Sequence, residues 1–390
     1  MDPRRNPFAP GAGTQPPELA GRDEIIEKAG VALARIADGR PARSLVLYGL
    51  RGVGKTVLLG KIRRDAEGQG FHPVRIEAPE HRSLPAIIAP PLRALLLKLD
   101  RLEAAKSGAR RALRALASFA RLKMTFEDVE LSLDLDPLAG VADSGSLEAD
   151  LTDLLMAVGE AARERGTAVV LILDEIQYVE EAQLGALISA LHAVAQEGQP
   201  LALVAAGLPQ LLGRMGRAKS YAERLFDFIP VSRLDEGAAR VAITLPIERE
   251  GARIEPAAVA EIIRATGGYP YFLQEWGKHC WDLAFDDTIT LTDAENAGVT
   301  AVAELDSSFF RVRFDRLTPS EKRYMRAMAA LGPGPHRSGD IADVMGKLVT
   351  QLAPIRNSLI QKGMLYSPAH GDTAFTVPMF DAFMKRIMPD

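Results

Sequence analysis

Short apolar runs punctuate the chain, each bounded by glycine, proline or polar residues. Ser44–Tyr48 (SLVLY), residues 168–173 and residues 201–206 have the length and near-continuous apolar character of buried strands, and residues 71–76 form a weaker fourth. Between 173 and 201 the apolar period lengthens. Leu184, Leu187, Ile188, Leu191 and Val194 recur at helical spacing. An earlier helix is predicted from Arg22 to about Ala37, with Ile25, Ala29, Leu33 and Ile36 on one face and Gly39 and Pro41 as its stop. Strands alternating with helices predict an α/β fold, a parallel sheet with helices on both faces.

Other stretches read differently. Residues 1–20 form an extended arm, because Pro3, Pro7, Pro10, Pro16 and Pro17 oppose helix and Gly11 and Gly13 loosen the chain. An insertion at about 78–147 interrupts the rhythm and is charge-segregated. Residues 91–123 hold nine Lys/Arg against Asp100 and Glu103, whereas 124–160 hold ten acids and no Lys or Arg. Within the acidic part, Val129, Leu131, Leu133 and Leu135 alternate with polar residues as a half-buried strand would. The insertion as a whole reads as a solvated helical excursion. Residues 235–317 read as a helical domain without a clear strand.

Residues 318–390 form a separate unit. Thr318-Pro-Ser-Glu321 carries a helix start, with Thr as N-cap and Glu three residues later. That helix runs to about Leu331. A second is predicted over 339–345 with Ser338 as its cap, a third from about Pro354 to Lys362, and two strands at 364–367 and 374–377. The domain boundaries are therefore 1–20, 21–234, 235–317 and 318–390.

Composition narrows the class. Apolar residues make up 47 % and charged residues 25 %, which fits a globular chain. No apolar run approaches the ~18 residues of a membrane span, and the first residues lack the apolar segment of a secretory signal. One cysteine, Cys280, excludes an intramolecular disulfide and a cysteine-based zinc site. A cytoplasmic protein with no membrane partner is expected. The net charge of −4 leaves room only for a local nucleic-acid surface.

The chemistry concentrates at two places. Gly49-Leu-Arg-Gly-Val-Gly-Lys-Thr56 satisfies G-x-x-x-x-G-K-[ST], follows the apolar strand 44–48 and precedes the apolar helix start Val57-Leu58-Leu59. Backbone N–H groups of such a loop turn inward around phosphate oxygens, and the helix offers its positive end to the same anion. Gly49, Gly52, Val53, Gly54, Lys55, Thr56 and Val57 are assigned to nucleotide, Lys55 to the β- and γ-phosphates and Thr56 to Mg²⁺. The strand 168–173 ends in Asp174-Glu175, at the carboxyl edge where open α/β sheets bind ligands. Asp174 is assigned to Mg²⁺ and Glu175 to the attacking water.

These two motifs, with Gly21-Arg22 and Glu24 ahead of them, resemble the P-loop NTPases of the AAA+ type, in particular the origin-recognition and replication-initiator group, which is similar to the STAND ATPases. The resemblance covers roughly residues 18–285. It implies ATP and Mg²⁺ as ligands, ATP hydrolysis that is slow or oligomer-dependent, and a helical lid. It further implies that Arg22 packs near the adenine. Gln210 is the nearest polar residue to the usual sensor position. A trans-acting arginine is expected among Arg214, Arg217, Arg224 and Arg233, with Arg224 preferred; a surface ion pair is the alternative. No arginine follows the turn Gly267-Gly-Tyr-Pro270, which resembles the G-x-P element whose proline, here Pro270, contacts adenine; an ordinary helix-breaking turn is the other reading.

Three helices and a hairpin over 318–390 resemble a winged helix-turn-helix, whose third helix enters the major groove. Its outward residues are Arg356, Asn357, Gln361 and Lys362. The turn at 368–373 has no Lys or Arg, which disfavours phosphate contacts. The function expected is ATP-driven assembly on or remodelling of double-stranded DNA; the alternative is an ATP-dependent switch whose C-terminal unit docks a protein partner. A homo-oligomer suits both. Tyr269, Tyr271, Phe272, Trp276 and Trp281 read as core, and the six histidines show no metal-ligand spacing.

Overall fold

The computed structural model describes residues 1–11, 13–80, 82–100, 106–123 and 140–389, with 106 and 121–123 described by backbone alone. The strand-like alternation of Val129, Leu131, Leu133 and Leu135 lies outside the described residues. Five parallel strands form the central sheet: β1 (Ser44–Tyr48), β2 (His72–Glu77), β3 (Val169–Asp174), β4 (Leu201–Gly207) and β5 (Phe226–Pro230), in the order β2-β3-β4-β1-β5. Ile172 and Leu45 both pair with Val204, and Glu77 pairs with Asp174 at the carboxyl edge.

Alternation along the strands divides the core. Val169, Leu171, Leu173, Leu203 and Ala205 face one hydrophobic cluster, while Leu45, Leu47, Val170, Ile172, Ala202 and Val204 face another. Helices on both faces complete the α/β layers. β5 has no counterpart in the sequence reading. It is five residues long, carries Asp227 and ends at Pro230, so its apolar signal is too brief to stand out.

The insertion is not a solvated excursion. Helices Leu84–Asp100 and Lys106–Lys123 bury Leu84, Ile88, Leu92, Leu96, Leu99, Leu113, Leu116 and Phe119 in the first cluster. Lys98, Arg110, Arg111 and Arg114 are exposed on the outer face, and the apolar stripe at i, i+3 and i+4 spacing decides the packing.

The lid is helical, as expected, with one addition: Arg253–Ile254 and Thr288–Ile289 pair as a two-stranded ribbon. Its hydrophobic cluster continues without a break into the C-terminal unit through Phe309, Phe310, Phe314, Phe380 and Phe383. That unit contains helices Pro319–Leu331, Ser338–Met345 and Val349–Gln361, and a three-stranded antiparallel sheet in the order 336–337, 372–375, 365–366. Thr318 and Glu321 close the expected capping box. Three details differ from the sequence reading. Ser338 is the first helical residue rather than the cap, and its hydroxyl donates to Gly371 O at 3.0 Å. The third helix begins at Val349 because Pro354 is tolerated inside it. A strand at 336–337 and a final helix, Phe380–Ile387, join the unit.

Candidate functional site

Tyr48 ends β1, and the chain turns through residues 49–54 into the helix Lys55–Gly68. Two positions demand glycine. Gly54 has φ 92°, and a Cβ on Gly49 would lie 2.0 Å from Val231 O. The loop is therefore wedged between the ends of β4 and β5, with Gly49 N–H donating to Gly207 O and Val231 N–H to Tyr48 O.

Lys55 folds back over this loop. Its Nζ donates to Gly49 O at 2.9 Å and to Leu50 O at 2.8 Å. Burial pushes its ammonium down to about 8, against partial relief from Glu175. Thr56 Oγ1 donates to Asp174 Oδ2 at 2.7 Å, so the two residues assigned to a metal sit side by side. Burial raises the Asp174 carboxyl, and the Thr56 hydrogen bond only partly opposes it. A hydroxyl and a half-buried carboxylate are the oxygen donors that suit a hard divalent cation, so the residues present fit one.

Glu175 follows in left-handed backbone conformation, φ 53°, a strain of about 1–2 kcal/mol for a residue with a Cβ. Arg51 Nη1 stands 3.7 Å from its carboxylate, and the Gln177 amide donates to it. Gln177 Oε1 accepts from Leu208 N–H at 3.0 Å. Gln177 thus links Glu175 to the end of β4, where the sequence offered only Gln210. Gln210 is the N-cap of the helix Leu211–Ala218 and makes no side-chain cap.

A cavity of about 310 Å³ opens beside the loop, within the range of small-ligand sites. Gly52–Val57, Arg22, Glu175, Pro270 and Tyr271 line it. Arg22 is 7 % exposed and donates to Val53 O and Ser232 O, bracing the loop against β5. Tyr271 N–H donates to Gly52 O at 3.1 Å, so the turn at Pro270 is stitched to the loop.

The N-terminal arm is a wall of the same cavity, through Pro10, Gly11, Gly13, Thr14, Pro16 and Leu19 among others. It is fastened to the lid. Trp281 Nε1 donates to Asp2 O, Asn6 donates to Lys278 O, and the ring of Phe8 packs against Gly277 at 3 % exposure. The arm is not extended throughout, contrary to what its prolines imply: Pro3–Arg5 form a short 3-10 turn, because proline is tolerated at the first position of a helix.

Three residues of the site had no motif to reveal them. Arg51 reaches Tyr178 hydroxyl at 2.7 Å as well as Glu175. Gln177 acts as described. Arg313 enters the cavity from the helix Arg311–Asp315, its guanidinium 4.0 Å from the Phe309 ring centre; burial and the nearby Arg51 push it down to about 10. Arg51 occupies a variable position of the loop pattern, and Arg313 lies 257 residues after Thr56 in no recognisable spacing.

The remaining expected arginines divide. Arg214 donates to Gln177 O and Val179 O and is a local brace. Arg217 pairs with Glu181. Arg224 and Arg233 are exposed, Arg224 on the short helix Ala222–Leu225.

The C-terminal unit rests on this site. Arg51 N–H donates to Thr376 O at 2.9 Å, and Arg316 pairs with Glu80 at 2.5 Å. Gly363 lies so close that an added Cβ would meet Arg51, Tyr178 and Leu208 at 3.0–3.2 Å. Of the four outward residues of its third helix, Asn357 and Gln361 are exposed. Arg356 instead binds Thr373 Oγ1, Ser367 Oγ and Asp372 O of its own sheet. Lys362 binds Glu321 Oε2 at 2.8 Å and Arg316 O. Although burial alone would raise the Glu321 carboxyl, its hydrogen bonds from Lys362, Thr318 and Ser358 hold it at about 2. Among the described residues no helix is long and apolar enough to cross a membrane.

Residues 18–204 match the family model described as the AAA ATPase domain, and residues 307–384 match a domain of unknown function, DUF8462. No curated protein matches the sequence. The Walker-type ATPase of Pyrococcus abyssi is similar in fold, with TM-score 0.57 and 15 % identity over 95 % of this chain and 97 % of that one. The ORC1 protein of Aeropyrum pernix, solved in complex with DNA, is similar with TM-score 0.51 and 14 % identity over 98 % and 96 %.

Proposed function

From the premise that this chain is a P-loop ATPase of the AAA+ type, we propose that it is an ATP-dependent switch whose C-terminal, winged-helix-like unit is restrained by its contact with the phosphate loop and released by Mg-ATP. In this reading Lys55 binds the β- and γ-phosphates. Thr56 and Asp174 hold Mg²⁺, which neutralises phosphate charge when bound. Glu175 polarises the attacking water, and Arg22 and Pro270 stand at the adenine end. Arg313 meets the terminal phosphate from the opposite wall.

The observation that carries the reading is the hydrogen bond from Arg51 N–H to Thr376 O. The amide of a phosphate-loop residue is occupied by the C-terminal unit, and a bound triphosphate would compete for the same loop. Glu175 is meanwhile held by Arg51 and Gln177 rather than free to polarise water. Slow basal turnover follows. Exposed Arg224 is suited to complete the site of a neighbouring copy in a homo-oligomer.

The partner of the released unit is a protein in our first reading. Val344, Leu348 and Val349 are 48 %, 67 % and 45 % exposed at the turn between its second and third helices, an apolar surface suited to protein docking. Double-stranded DNA is the second reading. It is favoured by Asn357 and Gln361, which share one exposed helix face, and by the fold likeness to a protein solved with DNA. A cytoplasmic location suits either partner.

Titration of labelled duplex DNA at low salt, with and without Mg-ATP, separates the two. Saturable binding that requires ATP selects DNA. Absence of binding while ATP is turned over selects a protein partner. Absence of any ATP binding would end the proposal.

A further inference from the structure

The lid carries a second constellation, one helical layer away from the phosphate loop. Glu275 and His279 lie one turn apart on the helix Pro270–Leu283, and Glu304 belongs to the last turn of the helix Leu291–Leu305 packed beside it. One ligand atom from each of the three lies within 4.8 Å of the others. His279 Nε2 stands 3.0 Å from Glu304 Oε2.

Two of the three are interior residues. Glu275 is 5 % exposed and His279 is 7 % exposed. Tyr271 lies one turn earlier on the same helix, and Glu275 Oε2 is buried without a hydrogen-bond partner. A carboxylate oxygen left this way is costly unless a cation or donor answers it. Lys278 Nζ reaches Glu304 at 3.2 Å on the exposed side of the cluster, and the charges of Lys278 and His279 only partly oppose the burial that raises the Glu275 carboxyl.

We propose that Glu275, His279 and Glu304 form a divalent transition-metal site of the zinc class, closed by one water. One imidazole nitrogen and two carboxylates gathered in one place suit Zn²⁺ or Co²⁺, whereas Mg²⁺ and Ca²⁺ prefer oxygen alone. The i, i+4 spacing places Glu275 and His279 on one helix face, and Glu304 closes the third corner from the neighbouring helix. The ion pins these two helices together. The first of them carries Tyr271, whose N–H holds Gly52 O, so the clamp stiffens the wall of the nucleotide cavity.

The test uses the full chain stripped of metal with a chelator. Added Co²⁺ gives the strong visible absorption of a four-coordinate ion at one equivalent, and Zn²⁺ displaces it at one equivalent. The Thr56→Ala variant keeps this signal, which separates the site from the phosphate loop. His279→Ala and Glu275→Gln weaken Co²⁺ binding by roughly 100-fold or more. Lys278→Ala leaves it unchanged or tighter. If a variant unfolds, anomalous scattering at the zinc edge from crystals of the wild-type chain gives the same decision, with a peak between the three residues. Absence of the cobalt signal and of that peak in the wild-type chain overturns the proposal, as does undiminished binding by a folded His279→Ala variant.

Discussion

Replacing Lys55 by methionine should make the ligand-free protein more stable while abolishing its response to ATP. The ammonium is held at about 8 by burial, against an ordinary 10.5. Each unit is worth about 1.4 kcal/mol, so keeping Lys55 charged in the folded state costs on the order of 3 kcal/mol. The sign follows from proton counting. Between pH 8 and 10.5 the unfolded chain holds this proton and the folded chain does not. The cost is therefore fully present below pH 8 and fades as pH rises toward 10.5. Methionine keeps the straight stem but leaves Gly49 O and Leu50 O without their donor, which returns about 1–2 kcal/mol. A net gain of about 1 kcal/mol remains at pH 7, visible as a higher melting temperature, and it shrinks by pH 9.5. Saturating Mg-ATP at ~100 times Kd should add ~2.7 kcal/mol to the wild-type chain and nothing to Lys55→Met. ATP binding needs the charged ammonium, so wild-type affinity should fall as pH rises above about 8. Thermal melts at both pH values, with and without nucleotide, give all these quantities. A Lys55→Met chain that melts lower than wild type by the same margin at both pH values would refute the reasoning, and an equal ATP shift in both chains would refute the assignment of the loop.

Glu175→Gln should bind Mg-ATP with near wild-type affinity and turn it over at least ~100-fold more slowly, as single-turnover assays would record; wild-type turnover would make Glu175 structural. Gly363→Ala places a Cβ 3.0 Å from Arg51 Nη2 at φ 65°, so it should loosen the C-terminal unit, free Glu175 from Arg51 and raise the basal ATPase rate; an unchanged or lower rate counts against the restraint. Turnover per chain should rise with protein concentration, and Arg224→Ala should flatten that rise without altering ATP affinity.

Much of the cavity lining was legible in the sequence because the loop pattern ties neighbouring positions together. Gly49, Gly52, Gly54, Lys55 and Thr56 lie within one turn, and Asp174-Glu175 end an apolar run that fits only a buried strand. β1, β3 and β4 were legible for the same reason. Residues whose partners lie far along the chain were not. Arg313 reaches the cavity only after the lid and the C-terminal unit have packed on each other, and Arg51 meets Thr376 only because that unit rests on the loop. Charge misled at the insertion, where the buried Leu92, Leu96, Leu113 and Leu116 decide the packing while Lys98, Arg110, Arg111 and Arg114 stay exposed. The third helix of the C-terminal unit misled in the opposite way. Arg356 and Lys362 read as outward residues, and each is bound by its own unit through Thr373 and Glu321.

The claim that nucleotide releases the C-terminal unit is tested most directly by one distance. Spin labels at Gln69→Cys, after the phosphate-loop helix, and Lys347→Cys, in the C-terminal unit, occupy exposed positions. Cys280 is buried, with its thiol pushed up to about 12, and escapes labelling. In the Glu175→Gln background the account predicts a single distance without nucleotide and a second, longer population with saturating Mg-ATP, absent when Lys55→Ala is added. An unchanged distribution in a chain that demonstrably binds Mg-ATP would contradict it.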